Sequence, residues 1–417
     1  MRPARLPRDE RGDVFESALA HTAFPERDHE MTFDLRRLAI AINGFCTFLN
    51  LYSPQALLPE FAREFGATAA QISTIMTAST LAVALTAPVT GAIADVFGRK
   101  RLITAALFAV SIPTVMLVFA SDVQSIAVWR FVQGLFLPPI FAVTIAYIGD
   151  EWPPSEVAGV AGVYVTGSSI GGFAGRMVPG ALADLMGWRY AFLILAAMTL
   201  MAAVAILFML PRETKFVRSE GFAASGAQML RHLRNPQLIA TYAVGFGTLF
   251  NFIATFTYVS FHLAAPPYNF SSTLLGALFV TYLGGTVVAP WTGRLIARFG
   301  RRNFVLGVIA VWIGGALLLL APQVAIIVAG LFVCATCGML CQTVSTGYIT
   351  MIAKDGRSSA VGLYVTCFYV GGSVGAFLPG LTWAAAGWPG AVAMLIVMQT
   401  IMACIVGFAW SRGPARI

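Results

Sequence analysis

Charge is what this sequence has least of. Asp, Glu, Lys and Arg make up 11% of its 417 residues, where a soluble domain carries about 25%. With 58% hydrophobic residues the chain is too apolar to fold in water, which excludes a soluble enzyme, a disordered protein and a collagen-like fibre. Cysteine is sparse: the six present all lie in apolar stretches, so a secreted disulfide scaffold is excluded. Cys334, Cys337 and Cys341 share one helical face, but no His or fourth ligand accompanies them, and no metal site is expected. No phosphate-binding Gly-x-x-x-x-Gly-Lys loop, nucleophile elbow or His-Glu-x-x-His helix occurs, so neither ATP use nor hydrolytic catalysis is expected. No cofactor is expected.

What the sequence has in quantity is apolar runs long enough to cross a bilayer, which takes about 20 residues each. Twelve are found, near 38–59, 71–94, 102–120, 124–148, 157–183, 190–210, 237–261, 272–296, 304–321, 323–352, 359–384 and 390–410. With the N-terminus inside, 23 of the 27 Lys and Arg fall in the cytoplasmic tails and loops. This positive-inside asymmetry places both termini in the cytoplasm, and explains the net charge of +8 without a nucleic-acid partner. Residues 1–37 form a mixed-charge tail without a signal peptide, 211–236 a basic cytoplasmic linker, and 411–417 a short cytoplasmic tail.

The runs repeat. At an offset of 200, Gly162, Tyr164, Thr166, Gly171, Gly172, Gly175, Pro179, Gly187 and Trp188 recur as Gly362, Tyr364, Thr366, Gly371, Gly372, Gly375, Pro379, Gly387 and Trp388. At an offset of 202, Ala87, Pro88, Thr90, Gly91, Phe97, Gly98 and Arg99 recur as Ala289, Pro290, Thr292, Gly293, Phe299, Gly300 and Arg301. The expected fold is therefore an all-α membrane protein of twelve helices in two pseudo-symmetric six-helix bundles, 38–210 and 237–410. Such duplicated halves suit alternating access about a site near the bilayer midplane. Gly167, Gly171 and Gly175 recur every four residues, so they line one helix face and admit a close neighbour, which a seam between rocking halves would use.

The loop after the second run reads Gly91, Asp95, Gly98, Arg99, Lys100 and Arg101 at fixed spacing. Gly98 permits a tight turn, and Asp95 can pair with the cations or cap a helix. This resembles the signature loop of the major facilitator superfamily of secondary transporters, and the 6+6 repeat agrees. The second copy has Ala297 where the first has Asp95, which leaves Asp95 as the expected gating partner. Arg130 to Gly134 is similar to a motif whose arginine is linked to proton coupling. Gly167, Ser168, Gly171 and Gly172 resemble the antiporter motif, with Ser168 in place of its proline, and Leu51 to Pro59 looks like the first helix of bacterial exporters. The resemblance implies a monomeric inner-membrane exporter of drugs, sugars or metabolites.

Charges inside spans are costly and mark function. Two are clear, Arg130 and Arg176, and no acid lies near the middle of a run. Two readings stay open, beside the plainer ones in which Arg130 pairs with backbone carbonyls and Arg176 snorkels to the headgroups. In one, the arginines respond to protonation of a peripheral acid, Asp150 or Asp184. In the other, both face a common cavity and bind an organic anion by charge-assisted hydrogen bonds. The alternative functional class is a receptor on the same fold that moves nothing. Polar and aromatic candidates for a small-molecule path are Asn43, Asn50, Gln55, Tyr164, Asn251, Thr255, Tyr258, Tyr282, Gln342 and Tyr364.

Overall fold

Residues 34–214, 229–288, 291–353 and 356–410 are described by the computed structural model of the chain. Residues 1–33 of the expected N-terminal tail, the expected tail 411–417, most of the basic linker, and the repeat residues Ala289 and Pro290 lie outside them. Among the described residues, nine helices are long and apolar enough to cross a membrane, and the last of these joins two spans.

The first half comprises α1 (Leu35–Tyr52), α2 (Ala69–Phe97), α3 (Arg99–Met116), α4 (Val123–Glu151), α5 (Pro154–Met186) and α6 (Trp188–Met209). The second comprises α7 (Pro236–Ala264), α8 (272–299), α9 (Arg301–Leu318), α10 (Val324–Ile352), α11 (357–386) and α12 (388–409). The last two meet at Gly387, whose φ of 61° and ψ of −147° are not helical. Counting them apart, and adding α1 and the interrupted α8, gives twelve spans. α1 fails a simple hydropathy test because Arg36 and Arg37 occupy the first turn of a helix only 18 residues long.

Local sequence sets the helix ends. Thr68 with Gln71 and Asp122 with Ser125 form capping boxes that start α2 and α4, each satisfying otherwise orphaned N–H groups. Asn235 caps α7 ahead of Pro236, where the missing N–H costs nothing. Gly98 and Gly300 turn the chain at φ 87° and 75°, and Gly187 and Gly387 at 88° and 61°. Both pairs are repeat-related, so the two halves share the same left-handed corners.

Two helices are broken. α1 stops at Tyr52 and the chain continues through a 3-10 turn, Gln55–Leu57, into a short helix Leu58–Phe65. α8 is helical over Ser272–Ala277, 3-10 over Leu278–Tyr282, and helical again over Leu283–Val288 and Thr292–Phe299. The sequence had suggested two uninterrupted spans here.

The glycine stripe lies inside a half rather than between halves. A Cβ on Gly175 would sit 2.6 Å from the Leu49 carbonyl oxygen, and Gly167 and Gly171 abut Ala41 and Phe45 in the same way. α5 thus packs backbone to backbone on α1. Gly371 and Gly375 repeat the device, bringing α11 onto Phe246 and Phe250 of α7.

Candidate functional site

The halves are joined at the end of the bundle opposite the termini, here the distal end. The Asp184 carboxylate accepts the backbone N–H groups of Ser272 (3.2 Å) and Thr273 (2.8 Å) at the start of α8. The Ser272 hydroxyl donates to Glu60 at 3.1 Å, and a Cβ on Gly180 would strike the Ser272 backbone. Nearby, α2 meets α11 through Thr77 on the Ser373 carbonyl (3.1 Å) and Thr80 against the Ser373 hydroxyl (2.9 Å). Phe141 stacks on Tyr369 with centroids 6.0 Å apart. These contacts between the halves lie at the distal end or at mid-depth. Toward the termini, small and polar residues that would be buried in a closed seam are exposed: Gly159, Gly162 and Thr166 on α5, and Gln342, Thr343, Gly347 and Thr350 on α10. The bundle is sealed distally and parted at the terminal end.

Arg176 occupies the roof of that seam, 1% exposed. Its Nε donates to Gln55 at 2.8 Å and its Nη1 to the Gly172 carbonyl at 2.6 Å. Nη2 has no partner. The guanidinium carbon lies 3.8 Å from the ring centre of Tyr52, 4.2 Å from Phe279 and 4.9 Å from Tyr282. Phe256 and Phe252 extend this aromatic wall, their centroids 4.7 and 4.9 Å from Tyr282. Cation–π contacts of this kind contribute roughly 0.5–2 kcal/mol each. Tyr52 and Gln55 come from the break after α1, Phe279 and Tyr282 from the 3-10 turn of α8.

Arg130 does not share this site. It is 0% exposed and enclosed by α1, α2 and α4. Nη1 donates to the Asn50 carbonyl at 2.8 Å and also to Gln133; Nη2 donates to the Leu51 carbonyl and to Ser79 at 3.1 Å. Gln133 donates in turn to Asn50 Oδ1 (3.1 Å) and Thr114 (2.7 Å), and Asn50 to Thr199 at 2.9 Å. Arg130 therefore sits on the carbonyl end of α1, where the helix dipole favours a cation. The reading in which both arginines line one cavity does not fit this conformation, because Arg130 spends its Nη groups inside the first half.

The other candidates are dispersed. Asn43 pairs with Thr144, and Asn251 bonds the Gly247 carbonyl at 2.8 Å. The Tyr258 hydroxyl donates to Ala376 at 2.7 Å. Thr255 is buried with its hydroxyl unpartnered. Tyr164 is buried on α5, its carbonyl close to Gly44, and Tyr364 packs its ring on Gly245. At the terminal end Arg99 pairs with Asp150 and donates to the Ala146 carbonyl at 2.6 Å. The Lys100 N–H donates to Glu213 at 3.2 Å, and Glu213 also lies over Gly98. Gly91 is exposed. Asp95 makes no hydrogen bond or ion pair among the described residues. Cys334, Cys337 and Cys341 are buried and free, and no cluster of three or more metal-ligating side chains occurs among the described residues.

Phe279 and Ser272 belong to the site without any signal in the sequence that marks them. Phe279 is one of 31 phenylalanines and carries no mark.

Twelve spans in two repeated bundles, closed at one end and parted at the other about a buried cation, define a multi-pass membrane transporter rather than an enzyme. The chain belongs to the Major Facilitator Superfamily, whose profile matches residues 40–282 and 244–416. It is 31% identical to the inner membrane transport protein YnfM of Escherichia coli strain K12 over 89% of each chain. Among solved structures, the nucleoside transporter NupG superposes with a TM-score of 0.72 at 14% identity, covering 90% of this chain and 99% of that one. The human organic anion transporter MFSD10 does so at 0.67 and 16%, covering 89% and 99%.

Proposed function

We propose that the chain exports small organic compounds across the bacterial inner membrane by alternating access, in exchange for protons, as a monomer with both termini in the cytoplasm. One observation carries this reading: the seam is bonded at the distal end and parted at the terminal end, so cargo can enter from the side where the basic loops lie. An inner-membrane relative supports the location. Solved neighbours named for nucleosides and for organic anions have the same fold, so fold alone does not choose a cargo.

The proton half of the reading is supported by Glu60, which with Asp184 joins the halves. Burial by the closed seam pushes the Glu60 carboxyl above its usual range, opposed by the Ser272 hydrogen bond and Arg63 and assisted by Asp184 and Glu64. The sealed form thus holds that proton better than a form with Glu60 in water, so a proton taken from outside favours the outside-closed state. An antiporter needs that direction.

The test uses proteoliposomes containing a trapped pH dye, challenged with a panel of nucleosides, sugars and organic acids. Cargo-dependent proton movement is expected for at least one compound. Flux of that compound left unchanged when the pH gradient is collapsed would refute the exchange; no flux of any compound favours the receptor class.

A further inference from the structure

Breaks in two helices from opposite halves converge on one side chain. The break after α1 delivers Tyr52 and Gln55 to Arg176, and the 3-10 turn in α8 delivers Phe279 and Tyr282. Discontinuous helices at a repeat interface bring backbone and side chains to a midplane ligand without exposing them to lipid. Here what they surround is a cation without a counter-charge. Arg176 makes no ion pair among the described residues, and its Nη2 is buried without a partner. Holding an uncompensated guanidinium away from water costs several kcal/mol, and one amide oxygen, one carbonyl and three ring faces offset only part of that.

The geometry points to a substrate-binding site in which Arg176 receives the acid group of a planar, apolar organic monoanion. The charge comes from Arg176, whose Nη2 is a buried donor without a partner. Tyr52 and Tyr282, the partly exposed rings beside the guanidinium, favour a flat unsaturated body over a sugar-like one, while Phe279 and Phe256, 0% and 1% exposed, pack behind them. Among the described residues no Lys or second Arg joins Arg176 there, since Arg130 is bound inside the first half, so one negative charge is matched and two are not. State dependence follows from where the parts come from. Arg176, Tyr52 and Gln55 belong to the first half and Phe279 and Tyr282 to the second, so the pocket is complete only while the distal seam is closed. Opening that seam withdraws two walls and lowers affinity on the side where cargo would be released. The repeat offers no second copy, because the position 200 residues on is Ala376.

This inference rests on the transport reading for its purpose but not for its test. Benzoate, salicylate, 1-naphthoate and indole-3-acetate, each beside its neutral amide, are titrated into the purified full chain at pH 7, and the melting temperature is followed. Acids are expected to stabilise the protein with at least about tenfold higher affinity than their amides, since only the acid supplies a charge-assisted bond. Arg176→Gln should abolish the preference and Arg176→Lys should keep part of it. The wild-type acid–amide comparison decides the matter even where a variant fails to fold. If no acid outbinds its amide, or if Arg176→Gln retains the preference, the anion site is overturned. Acid binding without any vesicle flux would sink the export reading and leave the anion site standing. Proton exchange of neutral cargo without acid preference would do the reverse.

Discussion

Gln55 and Thr257 stand 202 residues apart, and their side chains meet at 3.4 Å. The pair bridges the two halves, and Gln55 also holds Arg176 at 2.8 Å, so the buried cation lies one hydrogen bond from the seam. With Ala376 at the position 200 residues on from Arg176, the repeated frame carries an asymmetric site.

The close packing of α5 on α1 separates two adjacent glycines. A Cβ at Gly171 would collide with the Phe45 backbone, whereas at Gly172 the nearest atom, Arg176 Nη1, is 3.6 Å away. Gly171→Ala should lower the melting temperature in detergent markedly, by a cost of about 1–3 kcal/mol from overpacking. Gly172→Ala should stay close to wild type. Equal melting temperatures for the two variants would contradict the packing described.

Arg130 serves the first half as an internal tie. Arg130→Leu should orphan the Asn50 and Leu51 carbonyls and Gln133, at a cost on the order of 1–3 kcal/mol for each group left unsatisfied. Thermal unfolding and expression level would both fall. The acid-over-amide preference assigned to Arg176 should survive in whatever folded protein is recovered.

Glu60 and Asp184 should act with opposite sign. Because burial raises the Glu60 carboxyl above its usual 4.5, its contribution to the seal is fully present below that value and is lost as pH rises through the higher value of the sealed state. At pH 7 Glu60→Gln should favour the sealed form and remove that part of the pH dependence. Spin-label distances between positions 121 and 323, in a cysteine-free background, would read the distal opening. A wider opening in Glu60→Gln would contradict the assignment.

Asp184 works as an ionised acceptor for two N–H groups at the start of α8. Asp184→Asn removes the charge that favours a helix N-terminus and should weaken the seal by about 0.5–2 kcal/mol. The same spin-label pair should then report a larger open population. An unchanged distribution would show that Thr77, Thr80 and Ser373 close the seam without it.

Topology was legible because apolar length and the side of each basic residue are properties of the sequence itself. The corners at Gly98, Gly187, Gly300 and Gly387 were legible as repeated glycines. The α8 break was not, since Leu278 to Tyr282 reads as an ordinary apolar run. Which carbonyls Arg130 would meet was not legible either, because its main partners are those of Asn50 and Leu51 and every residue has a carbonyl. Arg176 was conspicuous as a charge, but its setting depends on Phe279 and Tyr282, more than a hundred residues away and in the other half.

The start of the linker carries a consequence for how the chain is made. Tyr147 donates to the Pro211 carbonyl at 2.9 Å, Glu213 receives the Lys100 N–H, and Thr214 donates to Glu151 through both its N–H (2.9 Å) and its hydroxyl. The first half thus fastens its own trailing end before any residue of α7 is needed. On a ribosome, where domains fold as units with the N-terminal one first, α1 to α6 can finish as a closed unit while the rest is still being synthesised. A gene split within residues 215–228 would then yield two polypeptides able to reassemble in the membrane.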